Sequence, residues 1–310
     1  MVTHEQLEIT PGVSLQVSHL GGGSGPRVCI LGGVHGDELE GVLSAQRLIT
    51  ELTDVPLRGT VSVLPMANPP AIASRTRVGA DDDNLARLFP GSGNGRLSQR
   101  LAHAIATELI EPCDLLIDLH SAGRRYRMPA MCGFGSGSTL GTRPMLEVAR
   151  KTSFPMLWMH PSVGPGRSVS YADQRGKPWV YFESGGSGAL QQSHIDLYVG
   201  AVHRLLFEIG VHATSPQDVV ERTEQVVVTD GNGDIDAGIT CGSDGIFVAA
   251  TDVGERVGVG QTVGTVFDSH GAIRSIVTSP VRGVIMMLRH ELSVSADDVA
   301  AVIAAEHANP

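Results

Sequence analysis

The first two thirds of the chain alternate between apolar runs and segments in which apolar residues recur at helical spacing. Residues 27–34 (RVCILGGV) are almost entirely apolar, which is typical of a strand buried on both faces. Residues 37–52 follow with leucine and valine three or four positions apart, as in an amphipathic helix. The same alternation predicts strands over 59–68, 113–120 and 179–186, and helices over 96–110, 142–152 and 193–210. This order predicts an α/β fold with a parallel or mixed sheet flanked by helices.

The pattern changes after about residue 215. Short valine- and threonine-rich runs are interrupted every 8–12 residues by turn sequences such as DG and NG, which predicts an all-β unit. We therefore predict two domains, an α/β domain over residues 1–215 and a C-terminal β domain over residues 216–310.

The segment DGNGDIDAG (230–238) spaces its oxygens like a calcium loop, but Ile235 and Cys241 stand where such a loop needs Gly and Glu. A β-turn is the better prediction for this segment.

Composition and charge narrow the class of protein. Hydrophobic residues make up 42% and charged residues 18% of the 310 residues, which is ordinary for a globular protein. The net charge of −10 argues against a nucleic-acid-binding surface. The chain contains no apolar run of about 18 residues, so we predict no membrane span. The four cysteines form no CxxC pair, and the N-terminus does not resemble a signal peptide. We expect a cytoplasmic protein with a small-molecule partner, and we leave open whether it forms a homo-oligomer.

Polar side chains follow three of the predicted strands. His35 and Glu38 come after the first, His120 ends another, and Glu183 ends a third. Ligands in α/β sheets bind at the carboxyl ends of strands. A zinc hydrolase needs three nitrogen or oxygen ligands and a base, and His35, Glu38 and His120 can supply the ligands while Glu183 is left as the base. Asp118, on the same face of its strand as His120, can hydrogen-bond a ligand imidazole.

Each of these residues also has a plain structural interpretation. A His-x-x-Glu pair taken alone is more often the polar start of a helix than a metal site. A single histidine such as His120 is more often a satisfied polar residue. The conjunction of three polar clusters at three strand ends, each beside glycines that permit close approach, favours the metal site.

Five motifs occur in a fixed order within about residues 25–210: GGVHGDELEG, NPPA…RTR, NLARLFPG, IDLHSA and FESGG. In this set the chain resembles the succinylglutamate desuccinylase/aspartoacylase branch of the zinc carboxypeptidase-like (M14) hydrolases. The resemblance implies a zinc carboxypeptidase-like mixed sheet flanked by helices, with a C-terminal all-β appendage. Residues 1–215 would then be the zinc hydrolase catalytic domain, and residues 216–310 the C-terminal β domain.

The resemblance also implies roles for the strand-end residues. His35, Glu38 and His120 would bind one Zn²⁺ per chain, and Glu183 would deprotonate the attacking water. We therefore predict a zinc-dependent amidohydrolase, a deacylase that cleaves the non-peptide amide bond of a small N-acyl amino acid or a related amide. Two alternatives stay open: a metallocarboxypeptidase that acts on short peptides, and a non-catalytic metal-binding or interaction module.

Substrate contacts are expected from two further motifs. Arg77 resembles the arginine that polarises the scissile carbonyl, although Arg75 is close enough to compete for that role. Arg87 resembles the arginine that grips a substrate carboxylate, and Asn84 and Arg75 are further candidates for substrate binding. The family pattern has an asparagine where this chain has Ala86. The missing donor predicts a bulkier or less acidic amine portion than free aspartate or glutamate.

Overall fold

The computed structural model describes residues 2–212, 224–231 and 235–307. Over these residues the strands are β1 (Val2–Thr10), β2 (Val13–Gly22), β3 (Arg27–Gly32), β4 (Gly59–Leu64), β5 (Leu115–Leu119), β6 (Tyr126–Arg127), β7 (Met131–Gly135), β8 (Thr139–Leu140), β9 (Arg143–Pro144), β10 (Met156–His160), β11 (Trp179–Glu183), β12 (Val226–Gly231), β13 (Ile239–Thr240), β14 (Gly245–Ala249), β15 (Arg256–Val257), β16 (Thr262–Phe267), β17 (Ile273–Thr278), β18 (Gly283–Arg289), β19 (Ser293–Val294) and β20 (Val299–Glu306). The helices are α1 (Leu39–Leu52), α2 (Pro69–Ser74), α3 (Leu97–Ile105), α4 (Met145–Arg150), α5 (Ser168–Gln174) and α6 (Gln192–Glu208). A π-helical turn (Ala106–Ile110) continues α3, and 3₁₀ turns cover Leu85–Arg87 and Ile235–Ala237.

A mixed sheet of fourteen strands forms the centre of the described structure. Its main path runs β1-β2-β4-β3-β5-β11-β7-β10-β12-β20-β18-β15, with β13 and β6 paired to β20 and β18. Strands β4, β3, β5 and β11 are parallel, so their carboxyl ends lie at one edge. The predicted fold class is confirmed: a mixed sheet is flanked by helices, and further antiparallel strands follow at the C-terminal side.

Helices cover both faces of the parallel strands, which explains their uninterrupted apolar runs. On one face, Ile30 of β3 and Ile117 of β5 share a core with Leu48 of α1 and Tyr198 of α6. On the other face, Leu31 of β3 belongs to a core that includes residues of α3 and α5. Strands buried on both faces carry apolar residues in both registers. The strand and helix positions predicted above also agree with the observed ones to within a few residues.

The C-terminal strands extend the large sheet and add a smaller one. Strand β12 pairs parallel to β10 and antiparallel to β20, so the sheet continues without interruption into the C-terminal region. A second sheet has the order β17-β16-β14-β19 and shares an apolar core with β15, β18 and β20 of the large sheet. The predicted boundary between residues 215 and 216 lies outside the described residues, and the division into two domains stays a prediction.

Two further predictions concern the described segments. Part of the predicted turn at 230–238 lies outside them, and its described end forms the 3₁₀ turn Ile235–Ala237. Within residues 2–212, 224–231 and 235–307, no helix combines the length and the apolar character that a membrane crossing needs.

Candidate metal centre and active-site cavity

The predicted ligands lie at the carboxyl ends of adjacent parallel strands. Gly32, the last residue of β3, is in register with Leu119 of β5, and Leu119 is in register with Phe182 of β11. The chain segments that leave these three strands therefore start side by side. They carry His35, His120 and Glu183 into one region, which explains why residues far apart in sequence meet there.

Glycines allow helix α1 to approach the sheet edge closely, and the loop before α1 to approach helix α2. A Cβ atom on Gly41 of α1 would lie 2.3 Å from the backbone oxygen of Leu119, the residue before His120. A Cβ on Gly36 would lie 1.9 Å from the backbone oxygen of Ala71. Any side chain at these two positions would push the backbone apart. The glycines therefore let Glu38, directly before α1, reach the end of β5.

Three side chains converge there as a possible metal group. The Nδ1 atom of His35 lies 2.8 Å from Oε1 of Glu38, and the Nδ1 atom of His120 lies 2.9 Å from Oε2 of Glu38. Candidate ligand atoms of the three residues all lie within 4.8 Å of one another, and the group is buried. Two imidazole nitrogens and a carboxylate oxygen are a common ligand set for zinc in hydrolases.

The Nε2 atom of each imidazole, on the side of the ring away from Glu38, contacts the side chain of another residue. Nε2 of His35 lies 3.1 Å from Oδ1 of Asn84, and Nε2 of His120 lies 3.1 Å from Oδ2 of Asp118. The hydroxyl of Ser168 in turn donates to Asp118. These partners favour hydrogen on Nε2 of each ring, so Nδ1 of each ring, which faces Glu38, is the atom that would bind a cation. Nδ1 of His120 itself donates to Oε2 of Glu38.

One buried nitrogen atom of the group lacks a hydrogen-bond partner, and this bears on whether a cation fits there. Despite its short distance to Glu38, Nδ1 of His35 is buried and makes no hydrogen bond of acceptable geometry with the described part of the chain. A buried polar atom is rarely left without a partner. A divalent cation with an affinity for imidazole would satisfy this nitrogen and the Glu38 carboxylate together. The donor set therefore fits the predicted zinc ion.

The charges in the group also suit a cation. Burial works to raise the pKa of Glu38, but His35 and His120 outweigh it and hold that pKa well below its ordinary value. Burial lowers the pKa of His35, and the nearby Arg77 lowers it further. Burial would lower the pKa of His120 as well, but Asp118 and Glu38 outweigh it and raise that pKa. Metal ligands bind in their deprotonated form, so a cation would take the place of the proton on His120.

Glu183 has the properties expected of a base. It lies at the end of β11 and lines the same cavity as the three ligands. Its Oε2 atom is buried and accepts no hydrogen bond from the residues that the structure describes. Burial, followed by the negative charge of Glu38, raises the pKa of Glu183 to about 8. A strongly shifted carboxyl group in a cleft is typical of a functional site.

The two candidate arginines after α2 lie in different places. Arg77 lines the cavity, and its Nη1 atom donates to Oε1 of Glu38 at 2.9 Å. Arg75 ends α2 in the left-handed backbone conformation, is exposed, and does not line the cavity. Arg77 is therefore the one of the two that is placed to contact a bound substrate.

Residues 24–209 match the family model of the succinylglutamate desuccinylase/aspartoacylase catalytic domain. The chain belongs to the succinylglutamate desuccinylase/aspartoacylase family. The resemblance inferred from the five motifs is thereby confirmed. Membership also supports the expectation of a hydrolase that acts on amide bonds.

Similar proteins cover nearly the whole chain. The N-alpha-acetyl-L-2,4-diaminobutyric acid deacetylase of Halomonas elongata is 27% identical over 297 residues, which are 94% of this chain and 86% of that protein. A succinylglutamate desuccinylase/aspartoacylase from Rhodobacter sphaeroides shares the fold, with a TM-score of 0.87, 24% identity, and coverage of 100% of this chain and 96% of that one. The product-bound ectoine utilization protein EutE (DoeB) from Ruegeria pomeroyi has a TM-score of 0.86 and 21% identity, over 98% of this chain and 95% of that one.

A cavity of about 660 Å³ extends from the metal group to the C-terminal region. Ala237, Met287 and Val302 of that region form part of its lining. Tyr181, two residues before Glu183 on β11, also lines it, and its hydroxyl lies 2.7 Å from Nε2 of His160. Burial lowers the pKa of His160 to about 4, so this imidazole is neutral at pH 7. The cavity combines a charged end with a mostly apolar body, as in many small-molecule sites.

Two of the predicted substrate contacts have partners within the chain. Asn84 caps the 3₁₀ turn by accepting from the backbone nitrogen of Ala86, and it also contacts His35. Arg87 lines the cavity but donates to Asp236, a residue from the C-terminal region. Arg167, which also lines the cavity, donates to the same Asp236 carboxylate. Sequence reasoning missed Arg167, which no local motif marks, and Asp236, which lies in the segment 230–238 that the sequence predicts only as a turn.

Proposed function

We propose that the chain is a zinc-dependent amidohydrolase that removes the acyl group from a small N-acyl amino acid. One observation carries the proposal. His35, Glu38 and His120 bring ligand atoms within 4.8 Å of one another, in the cavity that also contains the carboxyl group of Glu183. Three protein ligands with a base nearby make up the usual arrangement of a catalytic zinc site.

Zn²⁺ suits this group better than Mg²⁺ or Ca²⁺. Two of the three ligands are imidazoles, whereas Mg²⁺ and Ca²⁺ prefer oxygen ligands. When bound, Zn²⁺ lowers the pKa of a water molecule and polarises a carbonyl group. Asn84 and Asp118 would hold the rings of His35 and His120 in the orientation that this binding requires.

Glu183 would move the proton during hydrolysis. Its buried Oε2 atom is available to accept a proton from the attacking water, whose oxygen forms a bond to the amide carbon. The carbon–nitrogen bond then breaks, and Glu183 returns the same proton to the departing amine. The products are a free carboxylic acid and a free amino acid.

Arg77 would stabilise the negative charge that develops on the carbonyl oxygen. Its guanidinium group already lies beside the metal group, where it contacts Glu38. A positive donor fixed next to the reacting atoms is stronger in a buried site than in water, because the local dielectric constant is lower. The side chain of Arg77 is 38% exposed, so water weakens its stabilisation of the negative charge.

The cavity suits a small amide. About 660 Å³ is enough for an N-acylated amino acid, and residues from the C-terminal region restrict the space. The curated relative from Halomonas elongata is a deacetylase of N-alpha-acetyl-L-2,4-diaminobutyric acid. We therefore choose acetyl as the first acyl group to test. The cytoplasmic location remains a prediction, and the oligomeric state remains open.

A substrate panel tests the proposed function. The zinc-loaded protein is incubated with N-acetyl-L-2,4-diaminobutyrate, N-acetyl-L-asparagine, N-acetyl-L-aspartate, N-succinyl-L-glutamate and short peptides, and the released amine is quantified. We expect hydrolysis of at least one N-acetyl amino acid, loss of that activity on chelation, and its recovery with Zn²⁺. Cleavage of the peptides alone would instead favour the metallocarboxypeptidase. Turnover of an N-acetyl amino acid that survives complete metal removal would contradict the proposal.

A further inference from the structure

The guanidinium group of Arg87 is bonded through all three of its nitrogens to the chain itself. Nε and Nη2 donate to the two carboxylate oxygens of Asp236, at 3.1 and 3.0 Å, in a bidentate pair. Nη1 donates to the backbone oxygen of Ala86 at 3.0 Å. The planar fork that could hold a carboxylate of a substrate is therefore occupied by a carboxylate of the protein.

Arg167 strengthens this arrangement. Its Nη2 atom donates to Oδ2 of Asp236 at 3.1 Å, so the Asp236 carboxylate joins two arginines that both line the cavity. Burial works to raise the pKa of Asp236, but Arg87 and Arg167 outweigh it and lower that pKa. The carboxylate is thus ionised at neutral pH. Its side chain is 58% exposed, and the next residue, Ala237, lines the cavity.

We propose that Asp236 determines specificity by excluding substrates whose side chain carries a carboxylate. An N-acyl amino acid with its amide at the metal group must place its remaining groups along the rest of this cavity. A side-chain carboxylate that approached Arg87 would have to displace Asp236, and it would meet the negative charge of Asp236 on the way. A neutral or cationic side chain carries no such penalty. This inference rests on the proposed function, whose substrate class it narrows.

The test compares two substrates that differ in charge and hardly in shape. For N-acetyl-L-asparagine and N-acetyl-L-aspartate, the ratio of the two kcat/KM values is measured in wild type and in Asp236→Asn. We expect wild type to prefer the asparagine derivative, and we expect Asp236→Asn to lower that preference by about 10-fold, the scale of one charge-assisted hydrogen bond. Asp236→Glu keeps the charge and should keep the preference.

Asp252→Asn is the matched control. Asp252 also pairs with an arginine, with Arg127 at 3.2 Å, and it is 55% exposed, but neither residue lines the cavity. Its substitution should leave the ratio unchanged. A purely structural role of Asp236 would lower both kcat/KM values together. Both kcat/KM values of a variant are measured on the same preparation. A partly unfolded fraction lowers both values equally and leaves their ratio unchanged.

A binding measurement separates this inference from the proposed function. Calorimetry compares the affinities of L-asparagine and L-aspartate for the zinc-loaded protein, without any hydrolysis. If no amide is cleaved but Asp236→Asn shifts the affinity ratio towards L-aspartate, the proposed function fails and the inference stands. If amides are cleaved but the ratio is the same in wild type and Asp236→Asn in both measurements, the inference is overturned. It is also overturned if wild type prefers the aspartate derivative.

Discussion

Two groups of residues at the cavity, which we call the metal end and the rim, are built in different ways. The metal end, which consists of His35, Glu38, His120 and Glu183, lies at the carboxyl ends of three adjacent parallel strands. The rim, which we define as Arg87, Arg167 and Asp236, lies on loops and 3₁₀ turns and brings the C-terminal region into the site. The metal end is thus fixed by the sheet, and the rim by ion pairs between distant segments.

The exposure of the two groups differs as well. The side chains of His35 and Glu38 are 4% and 3% exposed, whereas those of Arg87 and Asp236 are 29% and 58% exposed. Exposed ion pairs contribute little to folding stability because water and salt screen them. The rim can therefore change at little cost in folding stability. We infer that the metal end performs the chemistry and the rim selects the substrate.

The largest effect on this comparison is expected from Glu183→Gln. Glutamine keeps the shape of the side chain but cannot accept a proton, so Zn²⁺ should remain bound while kcat falls by about 10²–10⁴-fold. Zinc content and kcat are measured on the same preparation. Glu208→Gln is the control, because Glu208 pairs with Arg143 and does not line the cavity. Near wild-type turnover in Glu183→Gln would remove Glu183 from the proposed chemistry.

A smaller effect is expected from Arg77→Ala. Loss of one charged donor to the developing oxyanion should lower kcat by about 10²-fold, the lower end of the range for such donors, because Arg77 is partly exposed. Arg75→Ala provides the comparison, since Arg75 is exposed and outside the cavity, and its kcat should stay within about 2-fold of wild type. Equal losses in the two variants would show that our distinction between these arginines is wrong.

The metal end could be predicted from the sequence because its signals are local. His35 and Glu38 are three residues apart after an apolar run, and Asp118 and His120 end another such run. The carboxyl ends of parallel strands meet at one edge, so the strand pattern alone brings these residues together. The register between β3, β5 and β11 then determines which residues at these strand ends lie next to one another.

The rim could not be predicted in the same way. Arg87 and Asp236 are 149 residues apart, and Asp236 lies in a segment that the sequence indicated only as a turn. A motif shows which residue types are present, but it does not show whether a guanidinium group already has a partner. The resemblance implied that Arg87 grips a substrate carboxylate, whereas in the structure it holds a carboxylate of the protein. Contacts of this kind depend on how the C-terminal strands pack, which local periodicity does not reveal.

The most direct test of the central claim is the zinc content of His120→Ala. Wild type should contain about one Zn²⁺ per chain, because one group of three ligands is present among the described residues. His203→Ala, which removes a histidine that pairs with Glu51 outside the cavity, should retain this content, whereas His120→Ala should contain almost none. Full zinc occupancy in His120→Ala, or no zinc in the wild-type protein after exposure to Zn²⁺, would contradict the account.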